Sequence, residues 1–219
     1  MKIHIYSLFR FFLVGLLYIT MVIPATVSAN TNIDKEAIEE NGVEAFATIE
    51  NIATGEKKYY NLITRDVYQN NNARDTTATA SYEVFIPIES LGNPNSSNLK
   101  STTSGEENTH GVTAKLSVVF QVNASNEMVK AIKVYGSWNP NSSLYYLSNR
   151  YVMLHSGSTS DGRRLEKYPS KNSFSYKTGW GYNYRIWGDA RPRAISEARI
   201  HISGMSGSTY LITVNVPYS

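Results

Sequence analysis

The chain has 219 residues and no cysteine, and its 21 Lys and Arg residues nearly balance 18 Asp and Glu residues, giving a net charge of +3. This length is sufficient to bury a substantial hydrophobic core without covalent cross-links. The absence of cysteine excludes a disulfide framework, thiol catalysis and zinc–thiolate sites.

The first 29 residues have the three-part pattern of a cleavable secretory signal peptide. Residues 1–10 are positively charged, residues 11–23 form an uncharged and mostly apolar run, and Pro24 precedes a stretch of small residues that ends in Ala29. An apolar run of this length spans about 20 Å as a helix, which is too short for a membrane core of about 30 Å. We therefore expect cleavage after Ala29 and a secreted, extracellular mature protein.

The mature part of the chain is expected to form one domain. Residues 30–42 are expected to be flexible or to form a short helix, because 33–40 contains helix formers with an acidic first turn. The domain itself is expected to occupy residues 43–219. Secreted proteins made in an oxidising compartment usually gain disulfides, so a cysteine-free secreted chain indicates a Gram-positive bacterium as the source.

Period-two alternation of apolar and polar residues dominates the mature chain and predicts an all-β fold. Residues 112–122 are the clearest case, because every even-numbered residue is apolar and all odd-numbered residues except Val119 are polar. Residues 193–202 also fit a helical face, but a strand is the preferred interpretation. The predicted strands are 44–51, 57–64, 77–88, 112–122, 128–137, 149–155, 173–184, 194–203 and 210–216.

About nine strands joined by polar turns predict a two-sheet antiparallel β-sandwich, because one antiparallel sheet of that size would twist too far. Segment 89–110 differs in composition: it consists almost entirely of Asn, Ser, Thr, Gly and charged residues. Such a segment cannot bury enough apolar surface to order itself. We expect a mobile polar loop at about 89–110 within a single domain, rather than a linker between two domains.

The mature chain contains no recognisable catalytic or ligand-binding motif. The patterns typical of zinc hydrolases, serine esterases and phosphate-binding loops are missing, so no catalytic residue, no metal ligand and no cofactor is predicted. His155 lies near Ser156, Ser158 and Asp161, but serine is common in this sequence, and a catalytic triad is defined by spatial geometry. We interpret His155 as a histidine at a strand end beside a polar turn.

Charged and aromatic residues are distributed unevenly along the mature chain. Residues 30–127 contain seven basic and fourteen acidic residues, whereas residues 128–219 contain twelve basic and four acidic residues, a net charge of +8. All three tryptophans and ten of the sixteen tyrosines also lie in the second segment. Such an asymmetry informs about the binding partner rather than the fold.

Aromatic and basic residues are densest between 174 and 193. If residues 173–184 form one regular strand, alternation places the even-numbered aromatic residues from Phe174 to Tyr184 on one face. Aromatic rings stack on sugar rings, and neighbouring cations attract anionic ligands. Core packing is the alternative explanation for most of these aromatic residues. The predicted ligand-binding residues are Trp180, Tyr182, Tyr184, Arg185, Trp187, Arg191 and Arg193.

These features predict a secreted, non-catalytic binding module that contacts an anionic or glycan surface through its basic, aromatic C-terminal half. The expected partner is a cell-wall polymer, a host glycan or a lipid head group on a membrane surface; nucleic acid is not expected, and no protein partner is predicted. One alternative is a membrane-active or pore-forming protein that uses a hairpin from 77–122, because its strands match the length that a tilted strand needs to cross a bilayer. A second alternative is an extracellular hydrolase whose catalytic residues lie on separate strands and leave no motif.

Overall fold

Every regular element in the described part of the chain is a β-strand, in agreement with the predicted all-β class. The structure, a computed structural model, describes residues 45–62, 66–72, 75–88, 110–157, 162–186 and 190–218. The strands are β1 (Phe46–Asn51), β2 (Lys57–Asn61), β3 (Asp66–Asn72), β4 (Asp75–Pro87), β5 (Gly111–Asn123), β6 (Met128–Pro140), β7 (Tyr145–His155), β8 (Arg164–Lys167), β9 (Ser173–Lys177), β10 (Asn183–Tyr184), β11 (Arg193–Ile202) and β12 (Thr209–Pro217).

The strands form two antiparallel sheets. The first sheet has the order β2-β1-β12-β11-β7-β8, and the second has the order β10-β6-β5-β4-β3, with β9 also paired to β6. β4 and β5 run side by side over 13 residues each, from the pair Asp75 and Asn123 to the pair Pro87 and Gly111. β5 pairs with one edge of β6, and both β9 and β10 pair with the other edge of β6.

The hydrophobic core is built from the alternate residues of both sheets. In β5 the side chains of Val112, Leu116 and Val118 are fully buried, as the alternation predicts. Strands of both sheets contribute to one continuous cluster of buried residues. A ring contact of 5.8 Å between Phe120 on β5 and Tyr218, just after β12, joins the sheets directly. Two antiparallel sheets around a shared core are consistent with a β-sandwich.

Residues 193–202 form a strand, as preferred from the sequence, with Ala194, Ala198 and Ile200 fully buried. The predicted number of strands was too low. β3 was missed because its sequence, DVYQNNN, is too polar to show an alternating pattern. β8 was missed because it has only 4 residues, three of them charged, and exists through its pairing with β7.

Several predictions concern segments outside the described residues. These are the signal peptide at 1–29, the flexible or helical segment at 30–42 and all of the polar loop at 89–110 except His110.

Candidate binding surface

The predicted strand 173–184 is interrupted, because β9 and β10 are separate strands on the same edge of β6. Residues 178–182 connect them and lie opposite only three residues of β6, 130–132. Two additional residues therefore disturb the ladder at this point. The prediction of one regular strand was wrong, and its aromatic residues do not share one face.

Thr178 and Gly179 shape this connection. The backbone N–H of Thr178 donates to the carbonyl of Ile132 at 3.0 Å, and its hydroxyl donates to the carbonyl of Ala131 at 2.6 Å. The same hydroxyl accepts a hydrogen bond from the N–H of Trp180 at 3.2 Å. Gly179 has a φ of +68°, which residues with a side chain rarely adopt. The chain leaves β6 here and returns to it at β10.

Three of the aromatic residues in this region contact the core. Phe174 is 8% exposed, and its ring lies 5.0 Å from the ring of Trp138. Tyr176 stacks on Phe174 with the ring centroids 6.1 Å apart. Trp180 is partly buried against the same core. Core packing, the alternative considered from the sequence, therefore accounts for these three residues.

Tyr182 and Tyr184 lie on the outer face of the second sheet. Tyr184 is paired with Met128 and is 72% exposed. The Nζ atom of Lys130 lies 4.9 Å from the centroid of the Tyr182 ring. Because Val129, next to Lys130 on β6, is buried on the inner face, alternation places Lys130 and the ring beneath it on the outer face.

The same outer face carries a group of lysines. Lys130 and Lys133 lie on β6, where Ala131 and Val134 are the neighbouring buried residues. Lys177 on β9 is directly opposite Lys133 and is exposed. We call this surface the lysine–tyrosine face, which consists of Lys130, Lys133, Lys177, Tyr135, Tyr182 and Tyr184.

Within the described residues, no ion pair neutralises the lysines of this face. Glu83 on β4, which is separated from β6 by β5, is paired with Lys115 at 3.9 Å. Lys133 Nζ lies 4.9 Å from the centroid of the Tyr135 ring, the same contact that Lys130 makes with Tyr182. A cation–π contact orients an ammonium group without removing its charge. The face therefore presents positive charge to solvent.

Arginine side chains lie around the segment that connects β9 and β10. The N–H of Arg185 donates to the carbonyl of Glu127 at 2.8 Å, and its guanidinium donates to the side-chain and backbone oxygens of Asn126. Burial lowers the pKa of Arg185 from its ordinary value. The Arg163 guanidinium lies beside Gly181, 3.2 Å from the point where a Cβ atom would stand. Glycine at this position thus allows the guanidinium to approach.

Arg191 and Arg193 lie outside the lysine–tyrosine face. Arg193 begins β11 in the first sheet, opposite His155, and donates a hydrogen bond to Asn215 at 3.1 Å. Arg191 is partly buried in the connection before β11. Trp187 lies outside the described residues. Arg191 and Arg193 are thus close to Tyr184 in sequence but lie apart from its exposed ring in the fold.

Sequence reasoning missed Lys130, Lys133, Lys177 and Tyr135 as members of a common surface. Alternation within 128–137 does not place Lys130 and Lys133 on one face, because they are three positions apart. A register shift in the pairing of β5 with β6, between Val119 and Phe120, brings both lysines to the outer face. Neither this shift nor the pairing of β9 and β10 with β6, which assembles the face, is visible in the sequence pattern.

The contacts of His155 with other described residues are structural. Its Nδ1 atom accepts a hydrogen bond from the N–H of Gly157 at 3.2 Å. The neighbouring Ser156 hydroxyl accepts from the N–H of Arg163 at 2.9 Å. Ser158 and Asp161 lie outside the described residues. These contacts order the end of β7, as expected for a histidine beside a polar turn.

The variant His155→Gln is expected to make the fold less sensitive to acid. Burial, followed by the charges of Arg193 and Arg164, lowers the pKa of His155. The unfolded chain therefore takes up a proton more readily than the folded protein, and stability falls as the pH drops through the ordinary histidine value of about 6.5. Thermal unfolding at about pH 7.5 and about pH 5.5 should show a smaller acid-induced loss of Tm in the variant than in the wild type. Equal acid-induced losses of Tm in the variant and the wild type would contradict the conclusion that His155 causes the acid sensitivity.

A serine and a histidine also meet on the outer face of the first sheet. The Ser148 hydroxyl lies 2.6 Å from Nε2 of His201, whose ring stacks on Tyr146 at 4.8 Å. A serine nucleophile and its base require such a contact. In a catalytic triad, however, a carboxylate orients the histidine, whereas here Nδ1 faces the Thr209 hydroxyl at 3.4 Å. This geometry is that of a polar cross-strand pair.

The described part of the chain shows neither a metal-binding cluster nor a membrane-spanning helix. No group of three or more His, Cys, Asp or Glu residues there could hold a metal ion. None of its elements is a helix long and apolar enough to span a membrane.

No protein-family model, curated protein or solved structure matches the chain significantly.

Proposed function

We propose that this protein is a secreted, non-catalytic β-sandwich module that binds an anionic polymer or glycan at a cell surface through the lysine–tyrosine face. In this proposal the signal peptide is removed after Ala29, and the mature protein acts outside a Gram-positive cell. The basic second half of the chain then provides the contact surface, and the acidic first half lies mainly in other strands.

The observation that supports this function best is the concentration of lysine and tyrosine on one outer sheet face. Lys133 and Lys177 are directly opposite each other, and Lys130 lies on the same side of β6. Like charges in directly opposed positions destabilise a sheet. An arrangement that costs stability and leaves the charges exposed is typical of a binding site for anions.

Replacement of Tyr184 by alanine tests this function. Tyr184 is 72% exposed and lies on the proposed face, so its loss should weaken binding of the mature protein to purified Gram-positive cell walls about fivefold or more. Tyr168→Ala is the matched control, because Tyr168 is 76% exposed and follows β8 at the edge of the first sheet. Co-sedimentation with walls measures both. Equal binding of the two variants would contradict the proposed face.

One structural observation favours the membrane-active alternative as a second candidate. β4 and β5 are consecutive in the chain and form the antiparallel pair that a hairpin from 77–122 requires, with Thr77 opposite Gln121 and Ile86 opposite Val112. In the folded protein the apolar sides of Ile86 and Val112 are buried in the core. Dye release from vesicles would support insertion of this hairpin, whereas the binding module is expected to release none.

A further inference from the structure

We infer that the lysine–tyrosine face is a track for a linear polyanion, such as a phosphodiester polymer, whose chain runs along β6. This inference rests on the proposed binding function and specifies its ligand class. The features that carry it are the spacing of the cations, the chemistry of lysine and the uncompensated charge between β6 and β9.

The charged and aromatic residues of the face form a long, narrow strip. Lys130 and Lys133 lie opposite Gln121 and Val119 of β5, two strand steps or about 7 Å apart. From Tyr184, opposite Met128, to Tyr135, opposite Ser117 of β5, the strip follows β6 for about 20 Å. A small anion contacts one end or one lysine pair of such a strip. A linear polymer with repeated anionic groups can contact all of it.

The cations of the face are lysines, and this determines which ligand suits it. An arginine fork favours one planar, bidentate contact, whereas an ammonium is a compact charge with three donors on a flexible stem. Lys130 and Lys133 rest on the rings of Tyr182 and Tyr135, so their stems are positioned while their charges stay available. Flexible cations of this kind suit successive oxyanions whose orientation varies along a polymer.

The geometry of this face is less suitable for stacking on a neutral sugar. Stacking on a sugar requires an open ring face. One face of the Tyr182 ring is covered by the Lys130 ammonium, and Lys133 lies over Tyr135. Tyr184 has the most exposed ring of the three tyrosines. One open ring beside three cations indicates an anionic polymer with a single stacking contact at its end.

The opposed pair of Lys133 and Lys177 links stability to binding. The two ammonium groups repel each other in the free protein. A polyanion that contacts both removes this repulsion, so the bound protein should be more stable than the free protein. The variant Lys177→Glu replaces the repulsion by an attraction to Lys133. It should therefore unfold at a higher temperature and yet bind the polyanion more weakly.

The decisive experiment measures stability and binding of the mature protein and its Lys177→Glu variant. The probes are long-chain polyphosphate, inorganic phosphate and neutral dextran of similar chain length. Wild-type protein should bind polyphosphate, should bind phosphate at least about a hundredfold more weakly per molecule, and should not bind dextran. Lys177→Glu should raise Tm by about 2 °C and weaken polyphosphate binding about tenfold.

Lys167→Glu is the matched control, because Lys167 is an exposed lysine on β8 in the first sheet. It makes the same charge change and should leave polyphosphate affinity within about twofold of the wild type. If Lys177→Glu does not fold, Lys177→Ser tests the same loss of affinity. Equal affinities of the wild type and the Lys177 variants would overturn the track.

The remaining outcomes separate this inference from the proposed function. If Tyr184-dependent binding to cell walls persists but polyphosphate is not bound, the polyanion track is wrong and the binding module stands. If neither walls nor any probe is bound, both are wrong. Tighter binding to anionic lipid vesicles than to polyphosphate would assign the face to lipid head groups and overturn the track.

Discussion

Replacement of Lys130, Lys133 and Lys177 together by serine is expected to weaken polyphosphate binding at least about a hundredfold at physiological salt. A lysine near a strongly anionic surface contributes about 1 kcal/mol, so three contribute about 3 kcal/mol. Each also releases counterions from the polymer when it binds. Titrations at several salt concentrations should therefore show a shallower dependence of log affinity on log salt in the variant, with the slope reduced by about 2 to 3.

The triple variant needs a control with the same change in net charge. Lys57, Lys58 and Lys167 all lie on strands of the first sheet, and their replacement by serine should change polyphosphate affinity only slightly. Lys57 pairs with Glu50 at 2.7 Å, but exposed pairs of this kind contribute about 1 kcal/mol or less to stability. Similar losses of affinity in the two triple variants would show that net charge, rather than the lysine–tyrosine face, determines binding.

Replacement of Trp138 by alanine is expected to lower the free energy of unfolding by about 3 to 5 kcal/mol. Trp138 is 0% exposed, and its ring contacts Phe174 on the neighbouring strand β9. Removing it leaves a large cavity beneath β6, on the side opposite the lysine–tyrosine face. For a domain of this size the loss corresponds to a decrease in Tm of roughly 10 °C. Denaturant and thermal unfolding of the mature protein measure it.

Trp138→Phe separates the packing contribution of this residue from its polar group. The indole Nε1 of Trp138 is buried without a hydrogen-bond partner in the described residues. Phenylalanine keeps an aromatic ring against Phe174 and removes that unsatisfied donor, so its cost should be clearly smaller than that of alanine. Equal costs of the two variants would show that the ring contact contributes little. A loss below about 1 kcal/mol in Trp138→Ala would contradict the buried packing itself.

Part of this molecule could be predicted from local pattern alone. The alternation in 112–122 predicts β5 and its buried face, because side chains in any strand point to opposite sides in turn. The choice of a strand for 193–202 also rests on this period. The uneven distribution of charge, with a net +8 after residue 127, is a property of composition and needs no fold. Strand alternation and charge distribution depend only on the order and composition of residues along the chain, so they can be predicted from the sequence.

Whether an aromatic residue belongs to the core or to a surface depended on the tertiary structure. Phe174 and Tyr182 lie in one predicted strand, with an even spacing that suggests a shared face. The chain leaves the ladder between β9 and β10, where Gly179 has a positive φ, so alternation does not continue across this connection. Phe174 therefore packs on Trp138 while Tyr182 lies under Lys130. A break of this kind is set by hydrogen bonds from Thr178 to another strand. Local periodicity contains no information about that strand.

The composition of the candidate surface was likewise decided by strand pairing. Lys133 and Lys177 are 44 positions apart in the chain and become direct neighbours because β6 pairs with β9. Arg193 is closer to Tyr184 in sequence, yet it lies in the first sheet because the chain changes sheets between β10 and β11. The sequence by itself determined the long alternating strands such as β5 and β11, their buried sides and the excess of positive charge in the second half. Only the tertiary structure decided which charged side chains share one exposed surface, because register and sheet order arise from contacts between residues far apart in the chain.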